Sequence, residues 1–234
     1  MTFPEPGRPS RERHAESSAV RDSGVSTTDW SPVMDPASRG GNVTSAARTF
    51  GGIVKRGAKV FAGMLGLMGL VSIVNAVTAG TVNRMFGLIP RTADGAWGIV
   101  LHPLLHANAA HLAMNSVGLL LIGGTVYLRS ERDFWRVTAL GIFIGGGATW
   151  LIGRPALHIG ASGLVFAYLG YLLTTGWFDR KLTSVALSVG ATVIWGSALF
   201  GLSPLQAGIS WELHLFGLLG GVLGAWWRKR AARG

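Results

Sequence analysis

Residues 160–178 read GASGLVFAYLGYLLTTGWF, a continuous apolar stretch that begins at a turn of small residues. It carries no charged side chain over a length close to the ~20 residues that a helix needs to cross a bilayer. Gly163, Ala167 and Gly170 recur at helical spacing along one face, which allows a neighbouring helix to approach closely. The stretch therefore predicts a membrane-spanning helix with a packing face of small residues.

Five further apolar runs flank this stretch, each close to spanning length and separated from the next by polar residues. Together the six runs occupy residues 60–79, 111–128, 135–152, 162–178, 185–202 and 211–227. A composition of 49% hydrophobic and 14% charged residues, with 35 glycines, does not suit a water-soluble globule and is typical of membrane helices. We expect an all-α, polytopic membrane protein folded as a bundle of six transmembrane helices.

Basic residues outnumber acidic ones, 21 to 11, but most of them lie at the ends of the apolar runs, and they form no basic face. We therefore expect no nucleic-acid partner, and we assign the charge to membrane topology and to the lipid bilayer. Only Arg84, Arg91 and Arg154 flank the runs on one side, whereas the other flanking basic residues fall on the opposite side. This asymmetry predicts a multi-pass protein of a bacterial plasma membrane with both termini cytoplasmic.

The chain is expected to have two regions, a tail and a membrane domain. Residues 1–46 are rich in Arg, Ser, Pro, Gly and Asp without apolar periodicity, which predicts a disordered cytoplasmic N-terminal tail. A basic start followed by an apolar core does not occur before residue 60, so we expect no cleaved signal peptide. Residues 47–234 form the predicted membrane domain, whose long connection 80–110 is expected to be a structured, partly embedded loop.

Few polar side chains lie within or next to the apolar runs, and such side chains mark functional sites because their burial in a membrane is costly. They open the second, fourth and sixth predicted helices, which all start at the outer face in this topology: His102, His106, His111, Asn115, Ser162 and His214. We therefore expect one water-accessible site just below that surface. The absence of cysteine excludes thiol chemistry there.

Ser162 and His214 are predicted to meet at this site. The helix of His214 carries Gly217 and Gly221 on one face, which matches the small-residue face of the fourth helix. Close packing of the two faces would bring the serine hydroxyl within reach of the imidazole, its general base. Glu212 is only two residues from His214 and should face elsewhere, so the sequence favours a Ser–His dyad over a triad.

His111 and Asn115 lie four residues apart and therefore share one face of the second helix. Their side-chain donors, with a backbone N–H at the start of the fourth helix, are placed to stabilise the oxyanion of a tetrahedral intermediate. The alternative is that they form hydrogen bonds between helices. For His102 and His106 the sequence favours a supporting role in the outer loop, and His158 is interpreted as a solvated side chain.

In this order and spacing, these motifs resemble those of the rhomboid family of intramembrane serine proteases, over everything but the tail. The motifs are His102-x3-His106-x4-His111-x3-Asn115, Gly160-x-Ser162-Gly163 and His214-x2-Gly217-x3-Gly221. The resemblance implies a serine endopeptidase that hydrolyses peptide bonds in or near the transmembrane segments of protein substrates, without metal or cofactor. It implies Ser162 as nucleophile, His214 as base and then acid, and His111 with Asn115 as oxyanion donors.

The resemblance also implies that Gly217 and Gly221 form a tight helix contact, and the chain departs from the family at two positions. Family members commonly place Tyr four residues after the nucleophile, stacked on the catalytic imidazole, whereas this chain has Phe166, a ring without the hydroxyl. The outer loop of many members carries Trp-Arg, where this chain has Trp97-Gly98 and lacks that hydrogen-bonding anchor.

Two other functions were weighed against proteolysis. An inactive rhomboid-like protein that binds membrane helices would usually lack the nucleophile or the base, and both are present here. A metal-dependent hydrolase or a transporter would use His102, His106 and His111, which are able to ligate zinc. That hypothesis assigns no role to Ser162 and His214.

Overall fold

The computed structural model describes residues 36–206 and 208–231, with side chains described from Arg48 onward. The chain divides into two units, Met1–Val43 and Thr44–Gly234.

Within the described residues, six long helices correspond one to one to the six predicted apolar runs. They are α1 (Pro36–Val77), α2 (Ala109–Arg129), α3 (Glu131–Ile152), α4 (Ser162–Asp179), α5 (Leu182–Leu202) and α6 (Trp211–Ala231). Helices α2 and α3 each contain a π-helical segment, and α5 ends in a 3-10 turn. The described residues contain no strand, and Leu88 and His158 form an isolated antiparallel bridge. The all-α prediction is therefore confirmed.

Four helices in the described part of the chain are long and apolar enough to cross a membrane: α1 from Arg48, α2, α3 and α5. Helix α4 differs from them because most of its surface faces protein; its buried residues run from Gly163 to Gly176. A helix surrounded by other helices needs small residues for packing more than it needs lipid-facing leucines. Its small residues at Gly163, Ala167 and Gly170 are thus consistent with its central position.

The predicted N-terminal tail overlaps the start of α1. Residues 1–35 of that tail lie outside the described residues, so the prediction of disorder stays a prediction there. Residues 36–46 have helical backbone, because α1 begins at Pro36. Proline suits the first position of a helix, where its missing N–H would have no partner within the helix.

Short helical segments build the connection between α1 and α2, which the sequence predicted to be a structured loop. They are Thr81–Phe86, Asp94–Trp97, Gly98–Leu101 and His102–Leu104. The connection packs tightly on itself, since a Cβ on Gly98 would collide with the backbone of Leu88. The side-chain amide of Asn83 donates to the carbonyl of His106 at 2.9 Å and fixes the chain just before α2. The close approach of the Leu88 backbone requires glycine at position 98.

Helices α4 and α6 pack in direct backbone contact at their glycine faces. A Cβ on Gly217 would collide with the carbonyl oxygen of Gly163, and a Cβ on Gly221 would collide with that of Ala167. Both contacts were predicted from the helical spacing of small residues, and the structure confirms them. The contact places the N-termini of α4 and α6 side by side, at the end of the bundle where Ser162 and His214 lie.

The opposite end of the bundle is joined by a network of charges. Asp179, at the end of α4, accepts from Arg129 at 2.6 Å and from Arg228 at 2.8 Å. Arg228 also pairs with Asp133 at 3.1 Å, so the ends of α2, α4 and α6 meet the start of α3. Ser184, near the start of α5, donates to Asp179 at 2.9 Å. Buried carboxylates need such partners, and here they hold five helix ends together.

Candidate active site

Ser162 is the first residue of α4 and follows a turn that only glycine fits comfortably. Gly160 has a φ of +115°, and a Cβ there would lie 2.7 Å from Nε2 of His111. The N–H of Gly160 donates to the carbonyl of His102 at 2.8 Å, which anchors the turn to the α1–α2 connection. The turn therefore presents the Ser162 hydroxyl at a helix N-terminus, where backbone N–H groups lack helical partners.

The imidazole of His214 lies between Ser162 and a backbone carbonyl. Its Nε2 is 2.8 Å from Oγ of Ser162, and its Nδ1 is 2.8 Å from the carbonyl oxygen of Gly201. A carbonyl only accepts, so Nδ1 must carry the proton and Nε2 must accept from the serine hydroxyl. The predicted proximity of the two side chains is confirmed, and the tautomer is the one that a general base requires.

Phe166 covers the other side of the His214 ring. The two rings are parallel within 7°, with centroids 4.2 Å apart. Gly201 closes the same space, because a Cβ there would lie 3.0 Å from the Phe166 ring and 3.1 Å from Nδ1 of His214. The imidazole is thus fixed in orientation by stacking and by two hydrogen bonds, without the hydroxyl that a tyrosine would add.

Glu212 faces away from His214, as predicted. Its carboxylate is buried and forms an ion pair with Arg154 at 3.4 Å, while the backbone N–H of Arg154 donates to the same oxygen at 3.2 Å. Among the described residues, the imidazole of His214 has hydrogen bonds only to Ser162 and Gly201. The imidazole therefore contacts one hydroxyl and one backbone carbonyl, and no carboxylate among the described residues.

His111 and Asn115 line the same cavity as Ser162 and His214, which has a volume of about 790 Å³. The N–H of Ala107 donates to Nδ1 of His111 at 3.4 Å, so the neutral ring carries its proton on Nε2, the nitrogen next to Gly160. The side-chain amide nitrogen of Asn115 is buried and has no hydrogen-bond partner within the described residues. Two N–H donors of cavity-lining residues therefore lie next to Gly160, two residues before the serine.

His102 and His106 lie behind this site and are both buried, at 0% and 2% exposure. Nδ1 of His102 donates to the carbonyl of Gly98 at 2.9 Å, and the ring of His106 packs edge-on against His111 with centroids 5.2 Å apart. Burial lowers the pKa of each imidazole to about 4, because the charged form loses its hydration. His102 is thus bound within the α1–α2 connection, and His106 contacts the ring of His111.

A zinc site built on these histidines has no counterpart in the structure. Among the described residues, no three side chains of His, Cys, Asp or Glu are grouped closely enough to hold a metal ion. The contacts of His102 with backbone and of His106 with the His111 ring account for their positions.

The interpretation of His158 as a solvated side chain is wrong. Its ring is 1% exposed; Nδ1 contacts the hydroxyl of Ser210, and Nε2 donates to the carbonyl of Arg154 at 3.1 Å. Arg154 in turn donates to the carbonyl of Ile209. The loop before α4 is thus tied to the loop before α6, and burial lowers the pKa of His158. No periodicity in the sequence indicates such loop-to-loop contacts.

Comparisons with known proteins agree with a helical membrane fold. The sequence model described as Rhomboid domain matches residues 93–231. An uncharacterized protein of Mycobacterium tuberculosis is 39% identical over 149 residues, which are 60% of this chain and 62% of that protein.

Two relatives that carry protease names were also found. Rhomboid protease GluP of Bacillus subtilis is 33% identical over 138 residues, 57% of this chain and 26% of GluP. Rhomboid protease GlpG of Haemophilus influenzae is 27% identical over 133 residues, 54% of this chain and 67% of GlpG. The chain spans 62% of the length of the mycobacterial relative, less than two-thirds of that protein.

Proposed function

This chain belongs to the rhomboid family, and from that premise we propose that it is an intramembrane serine endopeptidase acting through Ser162 and His214. One observation carries the proposal: the serine hydroxyl and Nε2 of His214 lie 2.8 Å apart in a cavity that also contains two side-chain N–H donors. This is the geometry of a nucleophile and its base next to an oxyanion site. The substrates proposed are other membrane proteins, cut in or near their transmembrane segments.

In the acylation step, Oγ of Ser162 attacks the carbonyl carbon of the scissile peptide bond while Nε2 of His214 takes the hydroxyl proton. The carbonyl oxygen becomes an oxyanion, which accepts hydrogen bonds from the Asn115 amide, from Nε2 of His111 and from the backbone N–H of Ser162. The free amide of Asn115 supports this role, because a buried donor without a partner is costly unless a ligand or intermediate satisfies it.

The intermediate then collapses as the C–N bond breaks and the imidazolium of His214 gives its proton to the leaving nitrogen. The amine product departs and an ester joins the acyl fragment to Ser162. In deacylation, a water molecule attacks the ester carbon while His214 takes one of its protons. The bond between the acyl carbon and Oγ then breaks, His214 returns the proton to Oγ, and the carboxylic acid product leaves. Both halves use the same base, donors and cavity, so no metal or cofactor enters the scheme.

The carbonyl of Gly201 takes the place that a carboxylate occupies in a triad. It accepts from Nδ1 of His214 at 2.8 Å, which holds the productive tautomer and favours the imidazolium by a dipole instead of a full charge. Stacking of Phe166 completes the orientation of the ring. A dipole stabilises the imidazolium less than a carboxylate does, so this base depends on fixed orientation for its efficiency.

We place the site in a bilayer crossed by all six helices, with residues 47–234 as the protease domain and both termini in the cytoplasm. The basic residues cluster at the end of the bundle opposite the site, which supports a site near the outer surface. Water would enter through the cavity of about 790 Å³ beside Ser162. A substrate helix must unwind to present its peptide bond there, and small residues at the cut fit the glycine-lined N-terminus of α4.

Cleavage of a single-span membrane protein in liposomes tests the proposal. Ser162→Ala and His214→Ala are expected to abolish cleavage, whereas Ser116→Ala, which removes a hydroxyl bonded only to its own helix, should cleave as wild type does. Equal cleavage by wild type and the two dyad variants would refute the assignment. A folded wild-type protein that captures the substrate without cutting it would instead favour the helix-binding alternative.

A further inference from the structure

A long apolar groove lies between α4 and α5, apart from the candidate active site. It has a volume of about 700 Å³ and is lined by Leu173, Trp177 and Arg180 on one side and by Val185, Val189 and Val193 on the other. Its apolar side chains are strongly exposed: Trp177 is 77% exposed, Val189 57% and Val193 79%. The groove therefore opens outward, toward the surroundings of the bundle.

The floor of the groove offers no free polar group to a ligand. At Gly176 the helices touch, since a Cβ there would lie 2.8 Å from Oγ of Ser188 and 2.9 Å from Cα of Val185. The Ser188 hydroxyl donates to the carbonyl of Leu172 at 2.7 Å and accepts from the N–H of Gly176 at 2.8 Å. Oγ1 of Thr192 donates to the carbonyl of Ser188 at 2.8 Å. Along this floor, a ligand would therefore contact apolar side chains.

One end of the groove is cationic. Arg180 adopts the left-handed conformation, with a φ of +55°, and with Lys181 forms the short connection between α4 and α5. In the described part of the chain, the guanidinium of Arg180 has no hydrogen-bond or ion-pair partner. It lines the groove at the same end of the bundle as the charge network, where Arg129 and Arg228 also lie. An unpaired cation beside an apolar groove suits an anion with an apolar chain.

The length of the groove matches one leaflet of a bilayer. Helix α5 runs from Leu182, next to the cationic end, to Val193, which at 1.5 Å per residue is about 16 Å. Half of a hydrocarbon core of about 30 Å is about 15 Å. A head group at Arg180 would therefore lie at the interface while its acyl chain follows α5 toward the midplane.

From this combination we infer that the α4–α5 groove binds one anionic phospholipid, its phosphate on Arg180 and one acyl chain along Trp177, Val189 and Val193. The inference is independent of the proteolytic mechanism, because none of these residues lines the cavity of Ser162 and His214. The lipid would fill the space between α5 and the buried helix α4.

Native mass spectrometry of the full chain, titrated with phosphatidylglycerol or phosphatidylcholine, tests the inference. Phosphatidylglycerol should bind the wild type more tightly, and Arg180→Gln should weaken it by about fivefold, the effect of one basic residue near a lipid surface. The matched control is Arg132→Gln, because Arg132 is also exposed at the basic end but does not line the groove. It should change the affinity by less than about twofold.

A second readout locates the acyl chain. Phosphatidylglycerol with brominated chains should quench the fluorescence of Trp177, measured as the difference between wild type and Trp177→Phe. Equal losses for Arg180→Gln and Arg132→Gln would overturn the inference, since they would indicate general surface charge. Equal binding of the two lipids, or the absence of Trp177 quenching because a protein helix covers the groove, would overturn it as well.

Discussion

Replacing Asn115 with leucine should separate catalysis from stability. Asn115 is only 5% exposed, and its side-chain amide nitrogen has no hydrogen-bond partner within the described residues. A buried donor without a partner costs about 1–3 kcal/mol, and leucine has nearly the same shape without the donor. The substitution should therefore leave the free energy of unfolding unchanged or raise it. Loss of one oxyanion donor should lower kcat by about 100- to 1000-fold.

The assay combines kcat on a fluorogenic transmembrane substrate in liposomes with thermal unfolding in detergent. Asn83→Leu is the matched control, because that amide is also buried but donates to the carbonyl of His106 at 2.9 Å. Its loss should lower the free energy of unfolding by about 1–3 kcal/mol, since the carbonyl is left unpaired. Destabilisation by Asn115→Leu equal to that by Asn83→Leu, with kcat retained, would contradict the role of Asn115 as an oxyanion donor.

Three further predictions concern packing, ring orientation and pH. Gly221→Ala should lower the free energy of unfolding by more than about 2 kcal/mol, because its Cβ would collide with the carbonyl of Ala167. In the same thermal unfolding assay, the control Gly66→Ala should not lower the free energy of unfolding, because its Cβ meets open space. Phe166→Ala should lower kcat by about 2- to 12-fold through loss of stacking on the catalytic imidazole. Phe166→Tyr keeps an aromatic ring at this position and should retain the wild-type kcat. Burial lowers the pKa of His102 from 6.5 to about 4, so the unfolded chain binds more protons than the folded protein between these pH values. Thermal stability should therefore fall as the pH drops from 7 toward 4. The His102→Gln variant should show a weaker fall.

The helices and the central proximity were predictable because both follow from helical repeats. Apolar runs of spanning length located the six long helices, and the glycine spacing around Gly217 and Gly221 located the contact between α4 and α6. Once that contact is fixed, Ser162 and His214, each at the start of its helix, must lie together. The start of α1 was placed too late because its first turns are polar and carry no apolar repeat.

The contacts that tune the site were not predictable from the sequence. The carbonyl that orients His214 belongs to Gly201, in the last turn of α5, and a backbone acceptor leaves no residue-type pattern. His158 is buried through a contact with Ser210 across two loops, which no periodicity records. Contacts of this kind depend on how two loops are placed relative to each other in the folded protein. The sequence of each loop alone does not determine that placement.

Covalent labelling of the serine is the most direct measurement of the central claim. A fluorophosphonate probe phosphonylates a serine only when a neighbouring base activates its hydroxyl, and mass spectrometry of the digested protein identifies the modified residue. A single adduct on Ser162 is expected in folded wild-type protein, and no adduct is expected in the His214→Ala variant. Folded wild-type protein that carries no adduct on Ser162, or that is labelled equally in the His214→Ala variant, would contradict that claim.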